Sequence, residues 1–188
     1  YELIEKVGPR FPETIRSAAD LTRLHAVEPE EHLKYVMDAV RLTRSELGGR
    51  VPLIGFAGAP WTIFCYMVEG GGSKEWSRAR RMLREAPELA EDLLARITDA
   101  TIVYLNAKIE AGVQAVQLFD SWAGSLSRDL YVQRILPHMQ DLLEGLQDRV
   151  PVTVFAKGGS HFLTDLATLP CATLGLDSVS YTHLTLPT

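Results

Sequence analysis

VPLIGFAGAPWTIFCYMVEGGGSK, residues 51–74, decides the fold. Its first eight residues form a short apolar run bounded by Pro52 and Gly58, which suits a strand buried on both faces of a parallel sheet. Pro60 then fits the first turn of a helix that runs through WTIFCYMV and ends at Gly70, Gly71 and Gly72. A strand passing this directly into a helix is a βα unit, and the rest of the chain shows whether the unit recurs.

Upstream, Pro29 to Gly48 reads as a helix, with Leu33, Val36, Met37, Val40 and Leu47 at three- and four-residue steps. Downstream, residues 87–111 carry Leu89, Leu93, Ile97, Thr101, Tyr104 and Lys108 along one helical side, widened by Leu94 and Leu105 and closed by Gly112. VQAVQLFD (113–120) is the next strand, and a helix follows from about 128 to 149 that Pro137 should kink or split. PVTVFAK (151–157) leads through Gly158 and Gly159 into a short helix, HFLTDLATL, and ATLGLD (172–177) is a fourth strand candidate. This β-α-β-α-β-α-β order has no Asn-Gly or Asp-Gly hairpin turn. It favours parallel strands with helical crossovers, as in a TIM barrel or a doubly wound sheet.

The 188 residues are 46% apolar and 23% charged, which fits a globular chain and argues against disorder or a simple coiled coil. That length falls short of the roughly 250 residues of a closed (β/α)8 barrel. A net charge of -5 disfavours nucleic-acid binding by bulk charge, and no apolar stretch approaches the ~20 residues of a membrane span. Two distant cysteines, Cys65 and Cys171, make no disulfide framework and predict a reduced, intracellular protein. Tyr1 stands where an initiator Met is expected and reads as a cut in a longer chain. The tail SVSYTHLTLPT (178–188) has six hydroxyl side chains and no charged residue, and reads as foreign to the fold.

In parallel α/β folds ligands gather at the C-terminal ends of the strands. Those places are FAGAPW (56–61), FDSWAG (119–124), AKGGSHF (156–162) and GLDS (175–178). Asp120 and Ser121 stand where a strand runs out, either as acid/base and substrate groups or as caps of the following loop. Tyr66 offers a hydroxyl to a substrate carboxylate or to a buried protein partner. Lys157 with the glycines of KGGS (157–160) could cradle an anion or make a plain turn. GGGSK (70–74) lacks phosphate-loop spacing and reads as a helix cap. His161, Cys171 and His183 lack zinc spacing, and neither GxSxG nor GxGxxG occurs.

These segments together resemble the uroporphyrinogen decarboxylase family. Residues 51–74 resemble its signature region, and GPRFPETIRS (8–17) before it with AGVQAVQLFDSWAGSLS (111–127), VPVTVFAKGG (150–159) and LGLD (174–177) after it resemble further family segments in the same order. The resemblance covers nearly all of 1–177 and implies an incomplete (β/α)8 TIM barrel holding the central βα units only, with 178–188 a non-native tail. It implies a cytoplasmic, homodimeric lyase of haem biosynthesis, with no metal or organic cofactor. Its reaction turns the four acetate side chains of uroporphyrinogen III into the methyl groups of coproporphyrinogen III.

Of the family's substrate contacts, the tyrosine of YMVEGGG falls on Tyr66 and the hydroxyl after FD on Ser121. Phe56, Asp120 and Lys157 are expected in supporting roles. The resemblance places the family's catalytic aspartate and arginine-bearing loop upstream of Tyr1, so no catalytic residue is assigned within the chain, and the fragment alone is expected to be inactive. His183 does not match the family's late histidine. Two alternatives remain: a corrinoid-dependent methyltransferase of the same fold, and a non-catalytic remnant that binds porphyrinogen.

Overall fold

The computed structural model describes residues 2–4, 8–147 and 149–178. VPLIGFAG yields strand β3 (Ile54–Gly58), preceded by an antiparallel pair, β1 (Glu2–Ile4) and β2 (Gly8–Arg10), that the sequence did not announce. AVQLFD forms β4 (Ala115–Asp120), VTVFA forms β5 (Val152–Ala156) and TLG forms β6 (Thr173–Gly175). These four lie in the order β3-β4-β5-β6, every neighbouring pair parallel. A doubly wound sheet reverses its strand order at a switch point. This sheet never reverses, so it is an arc of an α/β barrel.

Side-chain alternation gives the arc two different faces. Val116, Leu118, Asp120, Val152, Val154 and Ala156 are buried, whereas the intervening Gln117, Phe119, Thr153 and Phe155 are partly open. Through the register, Phe56 pairs with Gln117 and Phe119 with Phe155, which places Phe56 on the open side at 60% exposure. The expectation that 51–58 is buried on both faces is therefore corrected. Its continuous apolar run serves the helices on one side and the open concave face on the other.

After the helices α1 (Ala18–Leu21), α2 (Pro29–His32) and α3 (Lys34–Leu47), the first crossover from β3 is α4 (Pro60–Glu69), α5 (Ser77–Glu85) and α6 (Pro87–Ala111). Left-handed Gly70 and Gly112 close α4 and α6, as their positions predict. Leu93, Leu94, Ile97 and Leu105 of α6 are buried, each worth ~1.5–3 kcal/mol against exposure. The second crossover divides at Pro137 into α7 (Arg128–Arg134) and α8 (Leu136–Gly145), because proline sits in the first turn of α8 and cannot donate within a continuous helix. The stretch 29–48 is also interrupted: a four-residue helix, Pro29–His32, breaks at Leu33 before Lys34–Leu47. HFLTDLATL shortens to a 3-10 turn and the helix Leu163–Leu166.

Candidate functional site

Three strand ends converge on one another through backbone bonds. The Ala59 N–H donates to the Phe119 carbonyl at 2.9 Å, and the Lys157 N–H to the Asp120 carbonyl at 3.0 Å. The Gly124 N–H donates to the Lys157 carbonyl at 2.9 Å. That last approach needs glycine, since a Cβ at Gly124 would lie 2.8 Å from the Gly158 carbonyl oxygen. FAGAPW, FDSWAG and AKGGSHF are thereby brought to one place.

Tyr66 is half-buried on α4, its ring edge-on to Trp76 at 5.3 Å and to Trp122 at 6.2 Å. Trp76 and Trp122 pack at 4.7 Å, and the Lys157 ammonium lies 6.0 Å from the Trp122 ring centroid, within cation-π range. Ser121 precedes Trp122 in the turn after β4. Neither the Tyr66 nor the Ser121 hydroxyl has a hydrogen-bond partner among the described residues. Phe56 lies on the open face, edge-on to Phe119 at 6.0 Å, and Phe119 is edge-on to Phe155 at 6.1 Å. The open face thus carries an aromatic row, with the Lys108 Nζ 5.0 Å from the Phe56 ring centroid, and the strand ends carry two hydroxyls without a partner among the described residues and the Lys157 cation.

Asp120 points the other way. It shares the parity of Val116 and Leu118, is fully buried, and faces the helices. Its Oδ1 accepts the Thr62 hydroxyl at 3.0 Å and its Oδ2 accepts the Tyr131 hydroxyl at 2.9 Å. Burial pushes its carboxyl up to about 6, while the bonds donated by Tyr131, Thr62 and the Trp122 backbone oppose that rise. Burial and the adjacent Asp120 likewise hold the Tyr131 phenol up. Both carboxylate oxygens are thus engaged from the helix side, and the Trp122 backbone bond ties the carboxyl to the following loop.

Both glycine amides of the KGGS stretch are engaged within the chain. Gly158, at φ 71°, donates its N–H to Asp177 Oδ2 at 2.5 Å, and the Gly159 N–H donates to the Ala156 carbonyl. GGGSK is the predicted helix end and loop: Ser73 Oγ accepts the N–H groups of Glu75 and Trp76. Cys65 is buried beside Asp120, and burial raises its thiol. His183 and residues 179–188 of the tail lie outside the described residues.

Sequence reasoning passed over Thr62, Tyr131 and Trp76. Thr62 and Tyr131 stand on two helices, 58 and 11 positions from Asp120, and no local pattern marks such a pairing. Trp76 does carry a structural mark, a left-handed φ of 53°, which its sequence context does not reveal.

A sequence model of the family described as uroporphyrinogen decarboxylase (URO-D) matches residues 1–183. A uroporphyrinogen decarboxylase of Alkalilimnicola ehrlichii is 49% identical over 175 residues, 90% of this chain and 48% of that protein. One from Thioalkalivibrio sulfidiphilus is 49% identical over 178 residues, 92% of this chain and 51% of that protein. The chain thus spans about half the length of the curated relatives it matches. Among solved structures, a methyltransferase from Methanosarcina mazei superposes with a TM-score of 0.69 at 21% identity, covering 90% of this chain and 48% of that one. That likeness concerns the fold alone.

Proposed function

The chain belongs to the uroporphyrinogen decarboxylase family, and on that premise we propose that its strand ends form part of a site that decarboxylates the four acetate side chains of uroporphyrinogen III to give coproporphyrinogen III. The observation that carries this reading is the pair of unpartnered hydroxyls, Tyr66 and Ser121, flanking Trp122 above an apolar stripe. Uroporphyrinogen presents carboxylates around pyrrole rings, and its binding calls for hydroxyl or cationic donors beside apolar surface.

Each decarboxylation exchanges a carbon–carboxylate bond for a carbon–hydrogen bond. A pyrrole carbon takes a proton, and the electron pair of the breaking bond flows into the protonated ring as carbon dioxide leaves. The exocyclic carbon then takes a proton and the ring gives one up. Tyr66 and Ser121 donate to an acetate carboxylate and orient it, Lys157 adds positive charge at the rim, and Phe56 with Phe119 and Phe155 faces the pyrroles. Apolar walls strengthen every such contact, because less water competes for it. Asp120 supports the site from behind. No helix of the described residues is long and apolar enough to cross a membrane, and a homodimeric enzyme acting in the cytoplasm on a small-molecule substrate completes the proposal.

The test is anaerobic incubation of the full-length gene product with uroporphyrinogen III, followed by oxidation and chromatography of the porphyrins. Coproporphyrin is the expected product. Unchanged uroporphyrin from a folded protein would refute the reading.

A further inference from the structure

Ser121 presents its hydroxyl from a turn, and turns drift unless something holds them. Here the holding group is Thr62. Its Oγ1 donates to Asp120 Oδ1 at 3.0 Å and accepts the Ser121 backbone N–H at 2.9 Å, so one hydroxyl joins the end of β4, the first residue after it and helix α4. The direction of this relay is fixed by chemistry. A threonine hydroxyl has one proton, Asp120 takes it, and the lone pairs are left for the Ser121 amide.

The far side of the carboxylate is held just as firmly. Tyr131 of α7 donates to Oδ2 at 2.9 Å and stacks on Phe162 at 4.2 Å, which locks the phenol against the 3-10 turn after β5. Trp61, next to Thr62, donates its indole N–H to the Trp122 carbonyl at 3.1 Å and to Ser125 Oγ at 3.2 Å. The 121–125 turn is thereby gripped at both of its first two residues by the first turn of α4, and α4 also carries Tyr66 three residues beyond Ile63 on the same helix.

We propose that Thr62, braced by Asp120 and Tyr131, is a positioning residue that fixes the Ser121 hydroxyl relative to Tyr66, so that the two donors reach one substrate carboxylate together. Contact of Ser121 with substrate rests on the proposed decarboxylase reading; the brace itself does not. Being buried on the helix side, these three residues touch no substrate and act only through Ser121.

The experiment compares Thr62→Val, nearly isosteric but without the relay, with Thr62→Ser, which keeps the hydroxyl. Amide hydrogen exchange is followed at Ser121 and, as a control for folding, at Leu118 in the middle of β4. The full-length gene product carrying the same substitutions is assayed for uroporphyrinogen III turnover. In Thr62→Val, exchange at Ser121 is expected to rise at least about tenfold with Leu118 unchanged, and KM to rise about tenfold while kcat changes less than about threefold. Thr62→Ser should restore both. Unchanged Ser121 exchange in Thr62→Val, or no rescue by serine, overturns the brace. Faster exchange with an unaltered KM overturns its link to substrate, and a folded wild type that leaves uroporphyrinogen unconverted overturns the reading of the site instead.

Discussion

Replacing Asp120 with asparagine should change how stability depends on pH. The carboxyl is fully buried and is pushed from the ordinary 3.8 up to about 6. Folding therefore tightens its hold on the proton. The stability that this tighter hold confers is fully present below about pH 3.8 and is lost as pH rises through about 6, where the buried carboxylate must ionise. A gap of about two pH units corresponds to about 3 kcal/mol. Asparagine keeps the shape and one acceptor oxygen, so it removes this slope. In exchange it leaves the Thr62 or Tyr131 hydroxyl without its acceptor, a pH-independent cost of about 1–3 kcal/mol. Urea unfolding followed by tryptophan fluorescence, at intervals from pH 4 to 7.5, separates the two effects. The stability of wild type relative to Asp120→Asn should fall by up to about 3 kcal/mol across that range, with its steepest part near pH 5, between the unfolded and folded values, and level off above about pH 6.5. A difference that stays flat would refute the burial argument, and one that changes only below pH 4 would refute the direction of the shift.

Three further outcomes follow from other parts of the structure. Tyr66→Phe and Ser121→Ala each remove one unpartnered hydroxyl, and each should raise KM for uroporphyrinogen about tenfold with no loss of melting temperature. Gly124→Ala forces a Cβ to within 2.8 Å of the Gly158 carbonyl oxygen and 2.9 Å of its Cα, so calorimetry should show a loss of about 1–3 kcal/mol. An unchanged melting temperature would mean that the two turns separate freely. Burial holds the Lys108 ammonium down to about 8, while its Nζ donates to the Phe56 carbonyl at 2.8 Å. Its contribution to stability is therefore present above pH 10.5 and lost as pH falls through 8, and Lys108→Met should abolish that rise between pH 8 and 10.5.

The elements legible in the sequence are those whose ends carry their own signals. Pro60 with Gly70, and Pro87 with Gly112, mark α4 and α6 to the residue, and Pro137 marks the division of α7 from α8. The start of helix α5 was not legible, and its cap shows why. Its N-cap is Trp76, which offers no side-chain oxygen, and the first amides are capped from a distance by Glu69 Oε1, which accepts the N–H groups of Arg78 and Ala79. Ala79, Met82 and Leu83 do stand at helical spacing within SRARRMLRE, so its narrow apolar stripe is a local signal, and what the sequence lacks is a mark for where the helix starts. A helix that borrows its cap from another element hides its boundary rather than its period.

The same limit governs Asp120. Position along a strand is readable from sequence, and it correctly placed residues 120 and 121 at the end of β4. Which face a residue takes is readable only when the two faces differ in polarity. In VQAVQLFD, Val116 and Leu118 look toward the helices while Phe119 looks into the open side, so apolar residues occupy both faces and the alternation carries no sign. A carboxylate at the end of such a run is equally well placed to meet a substrate or to meet a helix. Thr62 and Tyr131 engage both oxygens from the helix side. Thr62 carries that fixed point to the next residue, because the hydroxyl it donates to Asp120 also accepts the N–H of Ser121 in the turn after β4. A buried acid and a half-buried hydroxyl at adjacent positions are thus tied into one arrangement by a single threonine.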